Sequence, residues 1–155
     1  RVCMVELNWW WPSAMSLSNT LNAGLAGALA GQACVDDIIC HTSWENLCYV
    51  TSGRIPKQER PVMARNPYLR QVIEELSERF DHIILDIPAI LSTSDSVPLA
   101  SLGTACCLVV SQGSTGVEDA RLALDEISHL PILGVVMNRT NMATPGPIYR
   151  LLSSR

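Results

Sequence analysis

With 155 residues, of which 48% are apolar and 17% charged, the chain has the size and composition of one folded domain and not of a disordered segment. A net charge of -4, with basic residues scattered singly, argues against a nucleic-acid partner, which needs clustered cations to displace counterions. The sequence opens without a signal peptide and contains no apolar run of roughly 18 residues, as a membrane helix requires. We therefore predict a single cytoplasmic domain over residues 1–155.

The first half of the chain predicts two strands and two short helices. Val2 to Leu7 is typical of a strand, and Asn46 to Thr51 predicts another strand in the sheet or at its edge. The runs Gly24 to Ala30 and Val35 to Ile39 predict the helices. The three glycines at positions 24, 27 and 31 indicate a small helix that packs closely against its neighbours.

The second half alternates strands with helices. Dense apolar runs, typical of strands covered on both faces, are His82 to Ile87, Ala105 to Ser111 and Ile132 to Asn138. Asn66 can cap a helix that starts at Pro67 and runs to Phe80, and a second helix runs from Gly116 to His129, before Pro131. This alternation predicts an α/β fold with a mainly parallel sheet, because parallel strands need crossover connections.

Trp9, Trp10 and Trp11 are consecutive, and three indoles in a row cannot all face one core from a strand or a helix. At least one ring is therefore expected to be exposed or to lie in an interface. Two interpretations stay open: one or two rings cover the core from a loop, or the group contacts a partner or a membrane surface.

Six cysteines form no C-x-x-C pair and no metal-ligand spacing, and we expect them to be small buried hydrophobes; they are Cys3, Cys34, Cys40, Cys48, Cys106 and Cys107. Near the other end, Tyr149 stands alone in an apolar run, which predicts a packing residue of a terminal helix.

Asp86 is the most informative residue for function, because it ends an apolar strand and is followed by Ile87 and Pro88. Ligands of parallel sheets collect at the carboxyl ends of the strands, where a carboxylate can hold a magnesium-bound water beside a nucleotide phosphate. The residues alone leave open the alternative that Asp86 caps the following helix.

Four segments of the sequence resemble the bacterial tyrosine kinases of capsule and exopolysaccharide export, which belong to the wider MinD/ParA-like class of P-loop ATPases. Ile83 to Pro88 resembles their Walker B motif, three aliphatic residues followed by D-x-P. Ala23 to Ile38 is similar to a glycine- and leucine-rich segment of the family. Asn46 to Pro56 resembles its N-L-x-x-L-x-x-G-x-x-P stretch, and Leu133 to Arg139 its L-G-V-V-L-N-R strand.

The resemblance implies a three-layer α/β domain of the MinD-like P-loop type, which binds ATP or ADP with magnesium. Asp86 would hold the magnesium ion through water, and Pro88 lies beside it in the same motif. Asn138 and Arg139 would contact the nucleotide, with Asn138 at the adenine base. The implied partners are a membrane-bound polysaccharide export or co-polymerase protein, at the inner face of the membrane, and further copies of the chain.

The second nucleotide motif of the family, D-x-D-x-R, is degenerate here. Glu6 stands for its first aspartate, Asn8 for the second and Trp10 for the arginine. Glu6 keeps a negative charge at this catalytic position, but an amide at Asn8 cannot act as an anionic base or metal partner.

The Walker A motif, G-x-x-x-x-G-K-[ST], is absent, since the sequence has no Gly-Lys pair and Lys57 is its only lysine. We expect a partial P-loop domain that lacks the N-terminal strand of the family, so that the sheet closes differently or pairs with another copy. The predicted function is a tyrosine-kinase-like domain of polysaccharide export that is inactive as this chain. The alternatives are part of a MinD/ParA-like positioning ATPase and a non-catalytic interaction module that regulates export.

Overall fold

The computed structural model describes residues 1–13 and 23–140, and this part of the chain forms six strands and six α-helices. The strands are β1 (Val2–Glu6), β2 (Ile39–His41), β3 (Leu47–Val50), β4 (His82–Asp86), β5 (Cys106–Ser111) and β6 (Ile132–Asn138). The helices are α1 (Gly24–Leu29), α2 (Val35–Ile38), α3 (Arg60–Ala64), α4 (Pro67–Ser77), α5 (Ser96–Ala100) and α6 (Val117–Glu126), with a 3-10 turn at Lys57–Glu59 before α3.

Four strands form a mostly parallel sheet in the order β2-β3-β1-β4. β1 is interior and pairs in parallel with β3 on one side and with β4 on the other. The register places Cys3 opposite both Cys48 and Ile83, and it ends with Glu6 opposite Asp86. The carboxyl ends of β1 and β4 therefore meet at one edge of the sheet.

One face of this sheet carries the hydrophobic core. Cys3 and Val5 of β1 and Val50 of β3 are buried on that face, since alternate residues of a strand point the same way. Helices α1, α2 and α4 contribute most of the remaining buried side chains, which include Leu25, Leu29, Val35, Ile38, Leu69, Val72, Ile73 and Leu76. On the opposite face Ile84 remains 53% exposed.

Helix α4 forms as its sequence predicts. The Asn66 side chain accepts a 2.9 Å hydrogen bond from the Tyr68 amide, and Pro67 occupies the first helical position, where no amide donor is needed. The helix ends at Ser77, three residues before Phe80, which nevertheless packs in the core. Helix α6 is likewise shorter than the predicted run at both ends.

Strand β2 is a difference from the sequence-based prediction, which continued the helix to Ile39. Helix α2 ends at Ile38, because Ile39 is extended, with φ -77° and ψ 118°. Ile39 to His41 then pair antiparallel with β3, and this edge pairing satisfies backbone groups that a short helix would leave unbonded.

The predicted single sheet is divided into two. β5 and β6 pair in parallel as a separate two-stranded sheet. Within the described ranges, β4 pairs only with β1 and β5 only with β6, so one edge of each lacks a strand partner. The core cluster around the four-stranded sheet contains no residue of β5, α6 or β6, and the side chains of Ala123 and Ile127 are buried apart from it.

The cysteine prediction is right for Cys3 and Cys48, which are buried, and wrong for Cys34 and Cys107, which are exposed because they lie on a helix cap and on the open β5 strand. Tyr149 and its predicted helix lie outside the described residues.

Candidate functional site

Glu6 is fully buried at the end of β1, and its carboxylate holds two loops in place. One oxygen accepts a 2.5 Å hydrogen bond from the Ser13 amide, and the other accepts a 3.1 Å bond from the Ser52 amide. Backbone amides satisfy a buried carboxylate at low cost, since each bond is charge-assisted. Glu6 thus connects the loop after β1 to the loop after β3.

Asp86 lies directly opposite Glu6 and ends β4. Its side chain is partly buried, and burial together with the neighbouring carboxylate of Glu6 raises the pKa of Asp86 above its ordinary value. No ion pair with Asp86 occurs in residues 1–13 and 23–140. The two acids therefore concentrate negative charge at this edge of the sheet, which a cation would relieve.

The segment after Asp86 leaves the strand through Ile87 and the fully buried Pro88. The proline restricts Ile87 to extended backbone, which fixes the direction of the strand end.

Asp86 does not cap the following helix, which was the alternative role for this residue. Helix α5 begins at Ser96, and its N-cap residue is Asp95, whose side chain makes no cap bond. Asp95 is instead buried beside Arg65, whose Nη2 lies 2.8 Å from its Oδ1.

Asn8 is part of a local turn. Its side-chain oxygen accepts a 3.2 Å hydrogen bond from the Trp11 amide.

The neighbouring tryptophans differ in exposure. Trp9 is 3% exposed and donates a 2.9 Å hydrogen bond from Nε1 to the Ser52 carbonyl oxygen, whereas Trp11 is 59% exposed. One indole therefore covers the core from a loop and another faces solvent, as the triplet predicts.

Asn138 and Arg139 lie at the carboxyl end of β6, in the second sheet. The backbone amide of Arg139 donates a 2.8 Å hydrogen bond to the Asn138 side-chain oxygen, and Arg139 has a positive φ of 54°. Both side chains are exposed. Across the described ranges no hydrogen bond or ion pair joins either residue to Asp86, so the structure brings Glu6 and Asp86 together but leaves this second pair apart from them.

No sequence pattern pointed to Ser13 and Ser52, the two residues whose amides bind Glu6. Backbone donors of this kind carry no side-chain pattern. A usable signal exists only for Gly53, which follows Ser52 in the glycine-containing turn and adopts a positive φ of 71°.

A metal ion at this edge of the sheet would have few protein ligands. The described residues contain no group of three or more His, Cys, Asp and Glu side chains that could hold a metal ion. A carboxylate such as Asp86 suits magnesium, which usually takes one or two protein carboxylates and completes its shell with water and phosphate oxygens. Lys57, the only lysine, is exposed on the 3-10 turn.

The fold is similar to that of solved nucleotide-binding domains. The kinase domain of Escherichia coli tyrosine kinase ETK superposes with a TM-score of 0.80 at 21% identity, over 94% of this chain and 58% of that one. The septum site-determining protein MinD of Pyrococcus horikoshii, solved with Mg-ADP, superposes with a TM-score of 0.67 at 24% identity, over 97% of this chain and 64% of MinD. The fold is thus that of the MinD-like P-loop proteins and bacterial tyrosine-kinase domains.

Sequence comparison narrows the class. Tyrosine-protein kinase CpsD of Streptococcus agalactiae is 33% identical over 121 residues, which are 76% of this chain and 52% of CpsD. The chain is homologous to the bacterial tyrosine-protein kinases, as its motifs predict. It spans about half the length of that kinase. No family model matches it.

Across residues 1–13 and 23–140, none of the helices has the length and apolar character needed to cross a membrane.

Proposed function

We propose that this chain is a tyrosine-kinase-like P-loop domain of capsule or exopolysaccharide biosynthesis which, as these 155 residues, neither hydrolyses ATP nor transfers phosphate. The observation that carries the proposal is the pairing of Glu6 with Asp86 at the carboxyl ends of two parallel strands, where no cationic side chain of the described residues forms an ion pair with Asp86. Phosphate chemistry needs positive groups at such an edge, and the sequence has no Gly-Lys pair to supply one.

Asp86 is the residue that would hold magnesium, through a bound water. When bound, the ion would neutralise charge on the phosphates of ATP. Glu6 fits a catalytic role poorly, because it is fully buried and each of its oxygens already accepts a bond from a backbone amide, that of Ser13 or of Ser52. Asn8 is uncharged and accepts a bond from its own turn, so it would stabilise the loop and not act as a base.

Asn138 and Arg139 would contact the nucleotide base. Because the Asn138 oxygen already accepts a bond from the Arg139 amide, its NH₂ group is the part that remains to donate to a base nitrogen. Pro88 would support the magnesium site only by fixing the backbone beside Asp86, since its ring is buried.

A non-catalytic interaction module in polysaccharide export is the second candidate, and an observation favours it. Strand β6 exposes Leu133 to 78%, Met137 to 58% and Val135 to 52%. Contiguous apolar surface of this kind is typical of protein contacts. The partner would be a membrane-bound export or co-polymerase protein, or another copy of the chain, which would place the chain in the cytoplasm at the inner face of the membrane.

A MinD/ParA-like positioning ATPase has less support. The similarity to MinD, at 24% identity, concerns the fold alone, whereas the sequence similarity at 33% identity is to a tyrosine kinase.

Turnover measurements test the proposal directly. The chain and its Asp86→Ala variant are assayed for magnesium-dependent release of phosphate from ATP and for phosphorylation of tyrosine. We expect the two proteins to give the same background rate. Magnesium-dependent turnover that disappears in Asp86→Ala would overturn the proposed inactivity.

Calorimetric titration with ATP and with ADP tests the residual nucleotide site separately. Heat that depends on magnesium and is lost in Asp86→Ala and in Asn138→Ala would support a site that binds without turnover. Absence of heat at millimolar nucleotide would remove ATP and ADP as ligands and leave the interaction module as the function.

A further inference from the structure

A cavity of about 430 Å³ opens beside the loop after β1, and Ser52, whose amide binds Glu6, is one of its lining residues. Its size lies within the range of small-ligand pockets. Its walls come from the loop after β1 and from the segment between β3 and α3, and the lining residues that matter here are Trp9, Pro12, Arg54, Ile55, Pro56 and Arg60.

The cavity is positively charged, and the chain does not neutralise it. Arg54 and Arg60 both line it, and no acidic residue does. All 15 aspartates and glutamates of the sequence fall within residues 1–13 and 23–140, and none of them forms an ion pair with either arginine. Two arginines therefore line one cavity without a side-chain counterion.

Arg60 also lacks a hydrogen-bond acceptor for one of its buried atoms. Its Nε is shielded from solvent, yet the atom has no hydrogen-bond acceptor in the described part of the protein. A buried donor without an acceptor is costly, and an oxyanion that approaches the side of the guanidinium would relieve that cost. Arg54 lines the same cavity and is exposed, and its guanidinium is a second group suited to an oxyanion.

Apart from Ser52 and Gly53, the remaining lining residues are apolar. Pro12, Ile55 and Pro56 line the cavity together with the buried Trp9, whose Nε1 is already bonded to the Ser52 carbonyl. We propose that this cavity binds an aryl phosphate group, the chemistry of a phosphotyrosine side chain, with the phosphate between Arg54 and Arg60 and the ring against the prolines and Ile55. Two arginines suit a doubly charged phosphate, and the apolar walls suit a flat ring. The site requires neither Asp86 nor a nucleotide, so it goes beyond the proposed function.

The test titrates the isotopically labelled chain with phenyl phosphate and follows amide and indole resonances. We expect saturable shifts of the Trp9 indole and of the 52–60 segment. Arg60→Gln should weaken binding by about tenfold or more, as the loss of a charge-assisted pair does. Arg54→Gln, at an exposed position that leaves the core intact, should also weaken it. Arg121→Gln is the matched control, since this exposed arginine on α6 lies outside the cavity, and it should leave the affinity unchanged.

Three ligands separate the parts of the proposal. Inorganic phosphate should bind to the same residues more weakly than phenyl phosphate, and phenol should not bind. Equal affinities for inorganic and phenyl phosphate would overturn the role of the ring. Phenyl phosphate that fails to bind, or that binds equally well to the folded Arg54→Gln and Arg60→Gln variants, would overturn the site. ATP that binds more tightly than phenyl phosphate with the same arginine dependence would make it a nucleotide site instead.

Discussion

Gly24 and Gly53 pack backbone against backbone. A Cβ atom on Gly53 would lie 2.4 Å from the Ala23 carbonyl oxygen, and one on Gly24 would lie 2.6 Å from the Gly53 nitrogen. This contact lets the first amides of α1 reach the loop after β3, where Leu25 donates a 2.8 Å hydrogen bond to the Thr51 carbonyl. The glycines therefore hold the loop that presents the Ser52 amide to Glu6.

Replacing Gly53 by alanine should destabilise the fold by about 3 kcal/mol, because the new methyl group clashes with backbone and the positive φ is strained. Gly31→Ala is the matched control. Its φ of 69° is nearly the same, but no atom lies within 4 Å of the added methyl, so it should cost only about 1 kcal/mol. Urea unfolding of both variants measures the difference, and equal losses would show that the close approach does not matter.

Breaking the Arg65–Asp95 pair should be asymmetric. Asp95 is 3% exposed, whereas the Arg65 side chain is 56% exposed, so Arg65→Ala leaves a buried carboxylate without its cation. We expect a loss of about 2 kcal/mol, below the range for fully buried pairs because water screens the arginine. Asp95→Asn removes the buried charge as well and should cost less. Denaturant unfolding of the two variants checks this order, and a larger loss for Asp95→Asn would contradict it.

Asp86 should make stability fall as the pH rises. Burial and the nearby Glu6 raise the pKa of Asp86 in the folded state, so folding favours the protonated carboxyl. The associated stability is complete below the unfolded pKa of 3.8 and is lost as the pH rises through the higher folded value. Asp86→Asn should therefore be more stable than the parent chain at pH 8, with the difference shrinking toward pH 3.5. Unfolding free energies at several pH values test this, and a difference that grows on acidification would refute it.

The tryptophans should differ sharply in their contribution to stability. Trp9→Phe keeps most of the buried ring area but loses the bond to the Ser52 carbonyl, which then keeps only its 3.1 Å bond from the Ala26 amide, at a cost of about 1 kcal/mol. Trp11→Ala removes an exposed side chain and should change stability by less than about 0.5 kcal/mol. Thermal unfolding of the two variants gives the comparison, and similar shifts would mean that Trp9 does not anchor the loop.

Cysteine alkylation should follow exposure and thiolate formation. Burial, with Cys48 and Cys40 nearby, raises the pKa of Cys3 to about 12, and its side chain is inaccessible. Iodoacetamide should therefore modify the exposed Cys107 and Cys34 first and leave Cys3 untouched until the chain unfolds. Mass spectrometry of digests taken during the reaction measures the order, and early modification of Cys3 would contradict its burial.

Local patterns in the sequence predicted those parts of the fold that depend on local physics. Helix α4 formed as expected because Asn66, Pro67 and the buried leucines all favour the same element. Strand β2 was missed because three residues at a sheet edge depend on pairing with β3 and not on their own pattern. The division into two sheets depends equally on long-range pairing.

The site was predictable only in part. The pattern around Asp86 placed that residue at a strand end, and its alignment with Glu6 follows from strand register. The role of Glu6 could not be predicted, since its partners are backbone amides of distant loops. The same holds for the cavity at Arg54 and Arg60, which forms only when two loops meet.

The division of the strands into two sheets also affects how the molecule unfolds. No backbone hydrogen bond joins the two sheets in the described residues, and among the few polar links between the two regions is the 3.2 Å contact of Ser101 Oγ with His129 Nε2. Local opening of β5, α6 and β6 would break few contacts with the main core, so their amide protons should exchange with solvent at a lower free energy than those of β1. We therefore expect two cooperative units of unequal stability.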